Sequence, residues 1–215
     1  MGAESDADVP FFCRLAEALA GAADSSHEVR EHPRGEVLFA EGQAAAGVYV
    51  LCRGRAKLYT CSSDARVLIT GIAGPGDVLG LSAVVSGEPY EVSARTLDAC
   101  RVWFVRRATF LRLLEERAGA AAHAARQLSA DYRAVHRQAG LLGLAPSAAG
   151  KLASVLLGVA GDDLSLTHEE LGQLIGASRE TVTRLIGDFR RQHLIEVNGA
   201  TLTVRDRPAL EALTR

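Results

Sequence analysis

The sequence predicts an α+β chain: a roll of short strands, one long helix, then a compact helix-rich C-terminal domain. Three observations carry this reading. From about residue 27 to residue 106, short runs rich in Val, Leu, Tyr and Thr alternate with glycines. Small and apolar residues then repeat at heptad spacing from Ala118 to Leu142. Residues 166–191, LTHEELGQLIGASRETVTRLIGDFRR, read as two capped helices joined at a glycine.

The elements follow in order. FFCRLAEALAGA places Phe11, Phe12, Leu15 and Leu19 near one face of a short amphipathic helix. EVLFA, GVYVLCRG, RAKLYTC, RVLITGI, YEVSART and CRVWFV read as strands, with glycines between many of them at Gly35, Gly42, Gly47, Gly54, Gly71, Gly74 and Gly76. Short strands at regular spacing predict an all-β barrel or roll. The step from VYVLC to AKLYT across Arg53-Gly54 reads as a hairpin. ATFLRLLEERAG reads as helix. Ala118, Ala121, Ala125, Leu128, Tyr132, Val135, Ala139 and Leu142 then follow at alternating steps of three and four, the seam of a coiled coil. GLAPS at 143–147 breaks that helix, and AAGKLASVLLGVA starts another, with Leu152, Val155, Leu156 and Val159 as its apolar face.

Bulk properties narrow the class. The chain has 215 residues, 48% hydrophobic and 23% charged, enough to build a core. Its net charge of -2 rules out an argument from overall basicity. Cys13, Cys52, Cys61 and Cys100 form no C-x-x-C pair, so no zinc ribbon or compact iron–sulfur motif is written here. They read as small buried hydrophobes. MGAESDADVP lacks the charge and apolar run of a signal peptide, and no run is long enough for a membrane span. A cytoplasmic protein with no membrane partner is expected. No G-x-S-x-G, Walker loop or paired carboxylates support an enzyme.

The 166–191 segment is the most specific. Thr167 with Glu170 fits a capping box. Leu171, Leu174 and Ile175 give the first helix an apolar face, and Gly176 ends it. Ser178 caps the second, whose core face holds Val182, Leu185, Ile186 and Phe189. This is a helix-turn-helix. Arg179, Glu180, Thr183 and Arg184 fall on the face away from the core, in the first two turns, the part that enters a major groove. Arg can bond guanine bidentately and Glu can accept from cytosine. Ser178 and Thr181 suit phosphates, and Thr167 and His168 complete the candidate DNA contacts. A solvated Glu180–Arg184 pair is the competing reading of two of these residues. LIEVNGATLTV adds a hairpin at Asn198-Gly199, making a winged helix. Residues 147–215 hold eight Lys and Arg against nine Asp and Glu, so affinity from phosphate neutralisation is modest per subunit, and two half-sites would compensate.

With these residues read, the whole chain resembles the CRP/FNR family of bacterial transcription regulators. The roll is similar through RGEVLFAEG, VYVLCRGRAKL and GPGDVLG, and the recognition helix through IGASRETVTRLI. The resemblance implies a cyclic-nucleotide-binding-type β-roll over 1–117, a dimerisation helix over 118–143 and a winged-helix DNA-binding domain over 144–215. In the cyclic AMP receptor branch an Arg-Glu pair and an Arg four residues after the Glu read a GTGA-type half-site. Those positions are Arg179, Glu180 and Arg184 here; Thr183 stands where the FNR branch has Ser. The implied function is a homodimeric regulator reading a TGTGA-like palindrome, with double-stranded DNA, RNA polymerase and a small-molecule effector as partners.

The effector site departs from the family pattern. Members that bind cyclic AMP carry a Gly-Glu for the ribose and an Arg-Ser for the phosphate. Here Gly80 is followed by Leu81, and Tyr90-Glu91 stands near the Arg-Ser position. No Lys or Arg lies between Arg66 and Arg95, and a carboxylate would repel a phosphate. The Thr-Ser pair for the adenine is not evident around Asp131-Tyr132-Arg133. Gly80, Leu81, Ser82, Tyr90, Glu91, Asp131 and Tyr132 are the expected pocket residues. The sequence argues against ordinary cyclic AMP and leaves three readings open: a different effector, a vestigial pocket, or a haem or redox sensor. His27, His32, His123, His136 and the cysteines are the haem-ligand candidates, and no spacing singles any out. HEVREH lacks the spacing of a zincin. Cys52, Cys61 and Cys100, expected buried in strands, are the candidate thiol sensors.

Overall fold

Along β3 (Gly47–Arg53) and β8 (Cys100–Arg106) successive side chains point to opposite faces, and both faces are covered. The two strands pair antiparallel, with Val50 opposite Trp103 and Val48 opposite Val105. Those four residues pack outward against Phe12, Leu15, Phe110, Leu113, Ala120 and Ala124. The alternate residues Leu51 and Val102 point inward and pack with Phe39, Ala56, Leu79, Tyr90 and Ala94. The molecule was analysed as a computed structural model, which describes residues 10–20, 27–145, 147–158, 163–199 and 201–214. Pro146, Val159 and the side chains of Leu19 and His27 lie outside the described residues.

The roll consists of two four-stranded sheets. One has the order β1-β8-β3-β6, where β1 is His27–His32 and β6 is Val78–Leu79. The other has the order β2-β7-β4-β5: Val37–Phe39, Ser93–Thr96, Ala56–Cys61 and Val67–Ala73. Arg53-Gly54 therefore does not close the expected hairpin, because β3 and β4 lie in different sheets. Gly54 takes φ +83°, and a Cβ there would lie 2.6 Å from the Ala99 carbonyl oxygen. The glycine carries the chain from one sheet to the other where a side chain has no room. YEVSART also starts later than expected, at Ser93, because Tyr90 turns into the core instead of joining the strand.

Helices frame the roll: α1 (Phe11–Ala20), α2 (Leu81–Ser86), α3 (Arg107–Glu116) and α4 (Ala118–Leu144). Residues 81–86, where no helix was expected, form α2, held between left-handed Gly80 and Gly87. On α4, Ala120 and Ala124 are buried, whereas the heptad residues Ala118, Ala121, Ala125, Tyr132, Val135 and Ala139 are exposed. Leu128, packed against the core, and Leu142 are half-buried. The C-terminal elements are α5 (Ala148–Gly158), β9 (Asp163–Ser165), α6 (His168–Ile175), α7 (Arg179–Arg191), β10 (Ile195–Asn198), β11 (Thr201–Val204) and α8 (Arg207–Ala212). β10 and β11 form the expected hairpin, and β9, too short for a sequence pattern, adds a third strand to it. The chain divides into two units, Met1–Thr60 with Gly71–Arg133 and Cys61–Thr70 with Ala134–Arg215.

None of the four cysteines forms a disulfide among the described residues. Cys13 and Cys100 are buried as expected, Cys52 is half-buried, and Cys61 is exposed because it ends β4 at a turn.

Within the first unit, Gln127 of α4 accepts from the Val78 amide at 3.1 Å and donates to Asp77 at 3.4 Å. Asp77 also accepts from the Gly74 amide at 2.8 Å, closing the GPGD turn. Asp131, one helical turn beyond Gln127, is exposed along the helix yet partly desolvated where it faces this group. Its carboxyl is pushed up to about 6, by desolvation first and the Asp77 charge second, against a Gln127 hydrogen bond. Desolvation raises Asp77 as well. A carboxyl held above its unfolded value binds its proton more tightly in the native state, so stability falls as pH rises from about 4 through 6. Asp131→Asn is therefore expected to raise Tm at pH 7.5, with the gain shrinking as pH falls toward 4; thermal unfolding across that range checks this, and a pH-independent gain contradicts it.

Candidate nucleic-acid interface

Two short helices need their end groups satisfied to hold a fixed angle, because each leaves orphan N–H and C=O groups. At the start of α6, Thr167 Oγ1 accepts from the Glu170 amide at 3.1 Å, and Glu170 Oε2 accepts from the Thr167 amide at 2.7 Å. This is the expected capping box. Gly176 ends α6 at φ +67°. Ser178 Oγ then accepts from the Thr181 amide at 3.2 Å and caps α7. Ser178 Oγ and Thr181 Oγ1 also lie 3.2 Å apart.

Two residues that sequence reasoning missed close the joint. A Cβ on Gly172 would sit 2.6 Å from the Ala177 carbonyl oxygen, so only glycine lets the turn fold onto α6. Its helical position looks unremarkable in sequence, and only the close approach identifies it. Gln138 of α4 donates to the Leu174 carbonyl at 2.7 Å, filling an orphan acceptor at the end of α6. It also lies 3.2 Å from the Ile69 carbonyl. No sequence pattern links three such distant positions.

Beneath the joint, Leu171, Leu174, Ile175, Val182, Ile186 and Phe189 are buried, and Leu185 is half-buried. On the other side Arg179, Glu180, Thr183 and Arg184 are all exposed on one face of α7. Among the described residues no ion pair holds Arg184, so the competing Glu180–Arg184 pair does not form. The Glu180 carboxyl is held below its ordinary range by hydrogen bonds from its own backbone amide and Ser178, then by the Arg179 charge. It is thus a charged acceptor at neutral pH. Thr167, His168 and Ser178 border this face, and His168 Nδ1 lies 2.9 Å from Thr183 Oγ1. Arg191 pairs with Asp188, while Arg190 is exposed. The wing is tied by Arg205, whose Nε donates to Glu196 at 2.8 Å.

The predicted effector residues separate in the structure. Gly80 and Tyr90 come together, a Cβ on Gly80 lying 2.5 Å from the Tyr90 ring, whereas Leu81 packs in the outer cluster with Val48, Val50 and Trp103; Leu81 and Tyr90 are each 2% exposed. Tyr90 is not the wall of a pocket. Its ring stacks on Phe39 with centroids 4.1 Å apart, and its hydroxyl donates to the Gly47 carbonyl at 2.5 Å. Burial pushes that phenol up to about 12, against the Gly47 bond. Ser82 and Glu91 are exposed, and Tyr132 is 67% exposed on α4. None of the expected pocket residues is a Lys or Arg, and the interior beside Gly80 is filled by the Tyr90 ring. A separate cavity of about 440 Å³ opens between β1, β2, β3 and β8, lined in part by Arg30, His32, Tyr49, Phe104 and Arg106. None of these was a predicted effector residue except His32, named only as a haem-ligand candidate. His32 lies 3.0 Å from Glu36, and the His123 ring stacks on Phe11 at 4.1 Å. Among the described residues, no three His, Cys, Asp or Glu converge as a metal site, and no helix is long and apolar enough to cross a membrane.

Comparison with known proteins agrees with this architecture. Residues 29–117 match the cyclic nucleotide-binding domain, and residues 150–213 match the Crp-like helix-turn-helix domain. A CRP-like cAMP-activated global transcriptional regulator of Mycobacterium tuberculosis is 28% identical over 196 residues, covering 86% of this chain and 87% of the relative. The cAMP-activated global transcriptional regulator of Pasteurella multocida is 25% identical, covering 82% and 89%. Among solved structures, FixK2 of Bradyrhizobium japonicum superposes with a TM-score of 0.78 at 23% identity, covering 88% of this chain and 98% of the other. A c-di-GMP responsive regulator of Xanthomonas campestris gives 0.72 at 21% identity, covering 85% and 95%. With a cyclic nucleotide-binding-type roll, a long helix and a Crp-like helix-turn-helix in one chain, the protein belongs to the CRP/FNR family of transcription regulators.

Proposed function

We propose that the protein acts as a homodimer that reads a TGTGA-like palindrome through α7, with 1–117 as sensor domain, 118–143 as dimerisation helix and 144–215 as DNA-binding domain. One observation carries this reading. Arg179, Glu180 and Arg184 stand exposed on the first two turns of a capped helix, and Arg184 is not consumed in an ion pair. Arg offers two donors to a guanine and the ionised Glu180 one acceptor to a cytosine amine. The exposed seam of α4, with Tyr132 at 67% and Val135 at 58%, supports a helix that a second copy covers. RNA polymerase is the implied further partner.

For the effector, the reading is a regulator that does not respond to ordinary cyclic AMP. The Mycobacterium relative is named for activation by that nucleotide. Here Leu81 replaces the ribose-binding acid of the family pattern, no Lys or Arg lies between Arg66 and Arg95, and Tyr90 fills the space beside Gly80. The buried Tyr90 ring favours the ligand-independent reading over a different effector, because a ligand at Gly80 must first displace a stacked, hydrogen-bonded side chain.

Two measurements test these points. In a gel shift with a TGTGA…TCACA duplex, the parent protein is expected to bind specifically. Arg184→Ala should reduce that affinity by about tenfold or more, the weight of one bidentate base contact; unchanged specificity contradicts the assignment of α7. Titration calorimetry with cyclic AMP should give no binding heat, and saturable micromolar binding contradicts the reading of the Tyr90-filled roll.

A further inference from the structure

The hydroxyl of Thr183 has two partners on the protein side. Its Oγ1 donates to the Arg179 carbonyl one turn back at 2.9 Å. The same oxygen lies 2.9 Å from His168 Nδ1, across the joint on α6. A hydroxyl has one proton, and a carbonyl can only accept, so that proton is committed to Arg179. His168 Nδ1 must then be the donor of the second bond, which fixes its tautomer. Both partners hold Oγ1 against the helix-turn-helix. Thr183 is nonetheless exposed, between Arg179, Glu180 and Arg184 on the outward face of α7. What a threonine presents once its oxygen is turned inward is its methyl group.

We propose that Thr183 reads the 5-methyl group of a thymine in each half-site through its own methyl, and that His168 is the positioning residue that holds it in that rotamer. The inference rests on the reading that α7 enters the major groove. There the thymine methyl is an apolar feature, and it distinguishes T from every other base. A Thr with a free hydroxyl would be indiscriminate, since it can donate or accept. With its proton given to Arg179 and its oxygen held inward by His168, the residue has no donor left to offer and turns its methyl outward, between two cations and a carboxylate. His168 thereby acts on base choice through Thr183 and needs no contact with the base.

The test replaces each thymine of a TGTGA…TCACA duplex, one at a time on both strands, with deoxyuridine. This removes the 5-methyl alone and leaves every hydrogen-bonding edge intact. Affinities are measured by fluorescence anisotropy on the full chain. One thymine per half-site is expected to become about fourfold weaker on replacement, the weight of one buried methylene-sized group. Thr183→Ser, which keeps the hydroxyl and loses the methyl, should bind the thymine and uracil duplexes equally at that position. Thr183→Val, which keeps a methyl there, should retain the discrimination. His168→Ala should reduce the thymine-to-uracil ratio, and His168→Asn, which restores an N–H donor, should recover it. Specific binding with no uracil-sensitive position, or a penalty that survives in Thr183→Ser, overturns the inference while leaving the half-site reading standing. Equal binding of the parent protein to a scrambled duplex overturns both.

Discussion

The joint between α6 and α7 is the constraint on which the reading face depends. Helices of 8 and 13 residues are too short to persist alone in water. Their mutual angle is set by a chain of small satisfactions: the Thr167–Glu170 box, Gly172 against the Ala177 carbonyl, Gly176 in the left-handed region and the Ser178 cap. Each is worth on the order of 1 kcal/mol by itself. Together with the buried Leu171, Ile175, Val182 and Ile186 they leave one arrangement, and that arrangement points Arg179, Glu180 and Arg184 outward. Gln138 extends the same logic to α4 by donating to the Leu174 carbonyl in the last turn of α6. The orientation of this face follows from end-group chemistry more than from propensity.

The roll obeys a different constraint, the filling of its interior. Two sheets with alternating faces leave a space between them, and something must fill it. Beside Gly80 that occupant is Tyr90, with its ring on Phe39 and its hydroxyl on Gly47. Gly80 and Tyr90 are mutually required: the glycine has no Cβ because the ring stands in its place. The glycine at this position thus serves packing within the roll.

Much of this was legible in the sequence, for local reasons. Capping boxes, αL glycines and the Asn198-Gly199 turn are written within a few residues, so Thr167, Gly176, Ser178 and the wing were readable directly. The α4 heptad was readable because it repeats. What escaped depends on distant partners. Strand β4 pairs with β7 rather than with its neighbour β3, and nothing in Arg53-Gly54 distinguishes a hairpin from a change of sheet. Tyr90 reads as a strand residue or a pocket wall, and only the position of Gly47, 43 residues earlier, makes it a core residue. Cys61 sits at the end of its strand, where alternation no longer implies burial. Gly172 and Gln138 carry no local signal, since a glycine in a helix and a glutamine on a helix surface are both ordinary.

The central claim is that a face of four residues on α7 reads DNA as one half of a two-fold pair. The most direct measurement is selection of bound duplexes from a random-sequence library by the full chain, followed by sequencing. The account predicts a two-fold symmetric consensus with TGTGA-like half-sites. An asymmetric consensus, a symmetric one with unrelated half-sites, or no enrichment at all would contradict it.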